Sequence, residues 1–197
     1  MTTTLEQRAM EDLVTRIDAR LSSPTGRIIG FIASGRGEGT TTLAEAYATT
    51  LISHQRRKVL LLGVAGANIT TPGVLSTLAA DLPLDDCLRP FANGGFTGSL
   101  GGHDALWELL TVAKLWQDLR SRFDDIVLDL PDSSSSRLGL QTAPHCDGVV
   151  IVIEAERTRA PVVESLIASL HAVRAPLLGT VLNRRRFYLP KRVYRWL

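Results

Sequence analysis

Apolar residues are spaced along this chain in two rhythms. From Thr3 to Ser22, Leu5, Ala9, Leu13, Ile17 and Leu21 recur every four positions, which puts them on one stripe of an amphipathic helix. Thr3 and Glu6 have the spacing of a capping box at its start, and Ser22-Ser23-Pro24-Thr25-Gly26 breaks it. Farther on, five short, nearly continuous apolar runs predict strands: Ile28–Ala33, Val59–Val64, Ile126–Leu130, Val149–Ile153 and Thr180–Asn183. Runs of this kind, without alternation, suit a parallel sheet covered on both faces. Helical patterns fall between them, over Thr41–His54, Asp104–Arg122 and Pro161–Arg174, the last opening on a proline at a first helical position. Strand and helix in alternation predict an α/β fold, a doubly wound, mostly parallel sheet with helices on both faces. Two stretches depart from the pattern. Asn68–Pro90 reads as a short helix with loops, and Phe91–Gly102, with five glycines, as a flexible surface loop. The chain therefore divides into an N-terminal helix and linker (1–26), an α/β domain (27–183) and a C-terminal tail (184–197).

Composition changes this picture at one end only. A chain of 197 residues, 45% hydrophobic and 21% charged, can bury a real core. No apolar run approaches the roughly 18 residues of a membrane span. Met1–Leu13 carries acidic residues where a secretory signal has an apolar segment. Cys87 and Cys146 have neither metal-ligand nor disulfide-framework spacing and read as reduced thiols. His54, His103, His145 and His171 are scattered, and read as packing or surface residues. The net charge of +2 is uneven: the last 15 residues hold Arg184, Arg185, Arg186, Lys191, Arg192 and Arg195 and no acid, which leaves 16 bases against 20 acids elsewhere. A basic tail on an acidic body points to an anionic partner. Phe187, Tyr188, Leu189, Val193, Tyr194, Trp196 and Leu197 interleave with those bases. The six bases and Trp196 are candidate contacts with a partner or an anionic membrane surface, at about 1 kcal/mol per base near the lipid. Packing of the same apolar residues on the body is an equal alternative, and nucleic acid ranks below both.

The first apolar run leads into Ser34-Gly35-Arg36-Gly37-Glu38-Gly39-Thr40-Thr41-Thr42. Glycines at a strand-to-helix turn let several backbone N–H groups converge on a phosphate, and the helix N-terminus adds its positive dipole end. A phosphate-binding loop (P-loop) ends in Gly-Lys-Ser/Thr, where the lysine reaches the β- and γ-phosphates and the hydroxyl binds Mg²⁺. Here Gly39 is followed by Thr40 and Thr41, so the hydroxyl is kept and the lysine is missing. Ser34 to Thr42 are the candidate phosphate-binding residues, with an unliganded glycine-rich turn as the alternative.

Four further segments follow in order. They are Val59-Leu60-Leu61-Leu62-Gly63-Val64-Ala65, Phe123-Asp124-Asp125-Ile126-Val127-Leu128-Asp129-Leu130-Pro131, Cys146-Asp147-Gly148-Val149-Val150-Ile151-Val152 and Gly179-Thr180-Val181-Leu182-Asn183. Together with the loop, over about residues 27–183, they resemble the cytoplasmic domain of the bacterial tyrosine kinases of polysaccharide export, relatives of the MinD and ParA ATPases. That family pairs a Gly-Glu-Gly-Lys-Ser/Thr-Thr loop with a second strand ending in Asp-x-Asp and a third ending in Asp-x-Pro.

The resemblance implies a P-loop nucleoside-triphosphatase fold, and the departures imply degenerate chemistry. Thr40 replaces the loop lysine, and Gly63 and Ala65 replace both second-strand aspartates. Thr41 and Asp129 remain as candidate metal contacts, and no catalytic residue is assigned. The implied cofactor is ATP or ADP with Mg²⁺, held weakly or not at all. Only Tyr188 and Tyr194 lie near the end, which is not the family's tyrosine-rich autophosphorylated tail. Gly35 stands where MinD and ParA carry a signature lysine, which favours the kinase-like branch. The expected function is a kinase-like, non-catalytic partner or scaffold in exopolysaccharide or capsule biosynthesis and export. The alternatives are an active ATPase or tyrosine autokinase using substitute groups such as Arg36 or a membrane activator, and a ParA/MinD-like positioning ATPase. The resemblance further implies a cytoplasmic protein peripheral to the inner membrane. Its implied partners are a membrane chain-length-determinant or polysaccharide export protein and further copies of itself.

Overall fold

The N-terminal stripe folds into helix α1 (Thr4–Asp18), and its buried side is Val14 and Ile17, flanked by Met10, Leu13 and Leu21. Ala9, counted in the stripe from its spacing, faces solvent. The structure is a computed structural model and describes residues 4–21, 23, 26–63, 73–92, 94–101, 110 and 112–184. Thr3 of the capping box, Val64, Ala65 and the tail beyond Arg184 lie outside the described residues.

All five predicted strands form. They are β1 (Arg27–Ala33), β2 (Val59–Gly63), β5 (Asp125–Asp129), β6 (Gly148–Glu154) and β7 (Leu177–Asn183), the last starting three residues before Thr180. Between them run α2 (Thr40–Gln55), α3 (Val74–Ala79), α4 (Ala113–Arg122), the short α5 (Leu138–Thr142) and α6 (Ala160–Ala172). Of the helix expected over Asp104–Arg122, the described part is helical at Leu110 and from Ala113 onward, with Val112 extended between them.

The glycine-rich segment read as a flexible loop is a correction. It forms β4 (Gly95–Ser99), which pairs parallel with β2 and antiparallel with β3 (Leu88–Phe91). Its glycines permit close packing: a Cβ on Gly98 would stand 2.9 Å from the Cys87 carbonyl oxygen and 3.0 Å from Leu88. Low β-propensity concealed a strand that needs small residues where backbones approach.

The sheet order is β3-β4-β2-β5-β1-β6-β7, parallel throughout except at β3. Every residue of β1 is buried, and its side chains alternate between two cores. Ile28 and Ile32 face α3 to α6, whereas Ile29, Phe31 and Ala33 face α1 and α2. Cys146 lies inside the first core, where burial pushes its thiol up to about 12, as expected of an inert packing residue. No helix among the described residues is long and apolar enough to cross a membrane.

Helix α1 is fastened to the sheet by a buried ionic cluster at the strands' N-terminal end. Arg27, 2% exposed, donates to Asp125 from Nε at 2.8 Å and to Asp18 from Nη1 at 2.6 Å. Arg57 reaches the same two carboxylates at 3.1 and 3.3 Å. Asp125 is fully buried, so removing Arg27 leaves its carboxylate to Arg57 alone. Arg27→Ala is expected to destabilise the fold by about 3 kcal/mol, read from urea unfolding. A loss of only a few tenths would show that Arg57 alone suffices for Asp125.

Candidate phosphate-binding cleft

Strand β1 delivers the chain into the loop, and the loop's shape is set from inside. The Glu38 side chain is buried and turned back on the loop: Ser34 donates from its backbone N at 3.2 Å and from Oγ at 3.0 Å. Thr158, in the turn after β6, donates to the same carboxylate at 2.7 Å. Gly39 has φ +95°, and a Cβ there would collide with the Asn183 side-chain nitrogen, so only glycine fits. Helix α2 starts at Thr40 with no side-chain cap and no acid in its first turn. Among the described residues no side chain accepts from its first N–H groups.

An open cleft of about 360 Å³ lies in front of the loop. Gly35, Arg36, Gly37, Gly39, Thr40, Thr41 and Thr42 line it on one side, and Gly63 and Asp129–Asp132 on the other. Loop and strand end are tied together, since Ser133 N donates to the Ala33 carbonyl at 3.0 Å. Of the predicted site residues, Ser34 and Glu38 are buried in the loop's own hydrogen bonds, while Arg36 is exposed. Thr41 Oγ1 donates to Asp129 Oδ2 at 2.7 Å, so the two candidate metal contacts are adjacent. Both are hard oxygen donors beside a phosphate loop, and they fit a Mg²⁺ that arrives with a nucleotide. Burial raises the Asp129 carboxyl above its ordinary range, against the bond from Thr41, and Glu45 adds to the rise. Asp132 is spoken for by Ser134 and Ser135. At Gly63 a Cβ would meet nothing within 4 Å among the described residues.

Two residues join the site that sequence reasoning did not assign to it. Asn183 Nδ2 donates to the Glu38 carbonyl at 2.9 Å. Arg184, grouped with the tail in the sequence, donates from Nη1 to the Gly37 carbonyl at 2.8 Å and to Glu154 Oε1 at 3.3 Å, and it lines the cleft. Both contacts span some 145 positions of chain, and only the parallel β6–β7 pairing brings them about. The other tail residues, Arg185, Arg186, Lys191, Arg192, Arg195 and Trp196, lie outside the described part.

No family model matches the chain. Over 187 residues it is 24% identical to the succinoglycan biosynthesis transport protein ExoP of Rhizobium meliloti (strain 1021), a match covering 85% of this chain and 23% of ExoP. The chain thus spans less than a quarter of that relative's length. Among solved structures, the kinase domain of VpsO superposes with a TM-score of 0.74 at 26% identity, over 92% of this chain and 96% of that one. The kinase domain of the Escherichia coli tyrosine kinase ETK superposes with a TM-score of 0.75 over 94% of this chain and 79% of that one; at 17% identity it speaks for the fold alone.

Two measurements probe how the cleft is held. Glu38→Ala strips acceptors from Ser34 and Thr158, and should cost about 1–3 kcal/mol in urea unfolding, with faster hydrogen exchange confined first to residues 34–41. Unchanged exchange there would mean that Glu38 does not shape the loop. Asp129 titrates higher folded than unfolded, so the folded state keeps its proton while the unfolded state has lost it. Stability therefore falls as pH rises from the ordinary carboxylate range through the higher folded value. Asp129→Asn should raise the urea midpoint at pH 7 and flatten that fall; a lowered midpoint would show that the carboxylate stabilises the empty cleft.

Proposed function

This chain belongs to the P-loop family of the bacterial tyrosine-kinase domains and their MinD- and ParA-like relatives, and on that premise we propose that it is a kinase-like domain without phosphoryl transfer of its own. In this reading it serves as a binding partner or scaffold in bacterial exopolysaccharide or capsule export, at a membrane chain-length-determinant or export protein. It keeps a cleft for the phosphates of a nucleotide. The link to polysaccharide comes from the relative ExoP.

The observation that carries the proposal is the simultaneous loss of charge around an intact loop. Phosphoryl transfer rests on positioning and on neutralising the transferred group's charge. Thr40 offers a hydroxyl where a lysine is needed, and Gly63 offers no side chain where a carboxylate is needed. Mg²⁺, held at Thr41 and Asp129, would supply charge at the phosphates. Thr41 and Asp129 orient the ligand, the loop amides hold it, and among the described residues no group is placed to assist its transfer. Arg36 is exposed, and Arg184 is engaged by Gly37 and Glu154, which weighs against the autokinase alternative. Gly35, at the place of the signature lysine, weighs against a positioning ATPase.

With Mg·ATP, the purified chain is expected to release no phosphate above buffer and to label none of its tyrosines, with or without a membrane partner. Thr40→Lys alone should not change this, because the second-strand carboxylates are still missing. Hydrolysis that disappears in Thr41→Ala and Asp129→Ala would overturn the proposal.

A further inference from the structure

The loop has lost its lysine, so a phosphate in the cleft must be held chiefly by backbone N–H groups, and their value depends on where they point. A trans peptide unit is planar, with its carbonyl and its following N–H directed to opposite sides. The carbonyl of Gly37 is taken by Arg184 at 2.8 Å and that of Glu38 by Asn183 at 2.9 Å. Both carbonyls are thereby drawn toward the end of β7. The N–H groups of Glu38 and Gly39 belong to those same two peptide units and must face away from β7. Asn183, the last residue of β7, and Arg184, which follows it, thus grip two consecutive peptides of the loop.

The grip is itself braced. Arg184 has φ +55°, a left-handed conformation uncommon for a residue with a side chain. Its own N–H is held by Asn183 Oδ1 at 2.9 Å. Glu154 on β6 accepts from both Arg184 and Arg157, and Ala155 N donates to the Asn183 carbonyl at 2.9 Å. Gly39 lies against the Asn183 side chain so closely that no Cβ could intervene. Arg184, lining the cleft, also adds a positive charge near the loop.

We infer that Asn183 and Arg184 are positioning residues for phosphate binding, fixing the loop amides that must do without the lysine. The inference rests on the reading of the cleft as a nucleotide site, and its ligand class is the polyphosphate of a nucleotide. Fixing donors before the ligand arrives removes ordering cost from binding. In a loop with a lysine, a direct charge contact shares that task; here the clamp carries more of it.

The test uses the full chain, ADP with Mg²⁺ as the probe, isothermal titration calorimetry, and hydrogen exchange of residues 34–41 without ligand. Arg184→Ala and Asn183→Ala should each weaken ADP binding by about tenfold and speed exchange in the loop, while the thermal unfolding midpoint moves little. Arg184 is 53% exposed, so its truncation leaves the cores intact. Arg184→Lys, which keeps a donor and the charge, should recover most of the affinity, and Arg89→Ala, at an exposed arginine of β3 away from the cleft, should not reproduce the loss. ADP binding by both alanine variants equal to that of the parent chain overturns the inference and leaves the nucleotide reading standing. A parent chain that binds neither ADP nor pyrophosphate overturns the nucleotide reading, and this inference with it.

Discussion

Strand β1 lies between β5 and β6 with all seven residues buried. Backbone groups so deep must be paired, and in a parallel sheet they are paired on both edges. This fixes the height at which Ala33 leaves the sheet, and with it the start of the phosphate loop. The same constraint sets Asp129, because Phe31 and Gly63 are both in register with it on the strands either side of β5. The bond between Thr41 and Asp129 follows from sheet register as much as from the two side chains. At the opposite end of the strands, Arg27 and Asp125 close the sheet against α1. Cleft and ionic cluster are thus two ends of one rigid layer.

On that layer the loop is held by polar contacts of unequal kind. Glu38 grips it from within, through Ser34 and Thr158. Asn183 and Arg184 grip it from behind. Neither set requires a ligand, so the loop has a defined shape when empty. A glycine-rich turn without such contacts would have nothing to restrain its flexibility. The two grips also explain how the loop can lose its lysine and keep its form, since the lysine would contact the phosphate and not the protein.

The extent to which the sequence disclosed this arrangement follows from the physics of each part. The five strands were legible because continuous apolar runs such as Val149–Ile153 allow few other uses, although β7 is only half-buried. The P-loop and its missing lysine were legible because the motif is local. Strand β4 was not, because Gly95 and Gly98 are there for close approach and carry no propensity signal. The pairing of Thr41 with Asp129 could be expected from the resemblance, whereas the contact of Arg184 with Gly37 could not. It joins a loop near the start of the domain to the root of its tail through a strand register that no local pattern encodes. Arg184 belonged by composition to a basic tail, and only its fold position makes it part of the cleft.

The replaced positions have an electrostatic logic. A lysine at Thr40 would place a cation at the positive end of α2, which costs roughly 0.3–1 kcal/mol without a bound anion. An aspartate at position 63 would add like charge to a cleft where Asp129 already resists ionising. Each such residue burdens the empty protein, and its return comes only when phosphate and metal are bound and reacting. A chain relieved of catalysis gains by shedding them. Yet among the described residues no side chain has moved into the space at Gly63, and none of their atoms lies within 4 Å of where its Cβ would stand. Packing alone would favour closing such a space. The cleft thus keeps its volume and its loop amides without the lysine and the carboxylate at position 63, which is the arrangement that the proposed binding role requires.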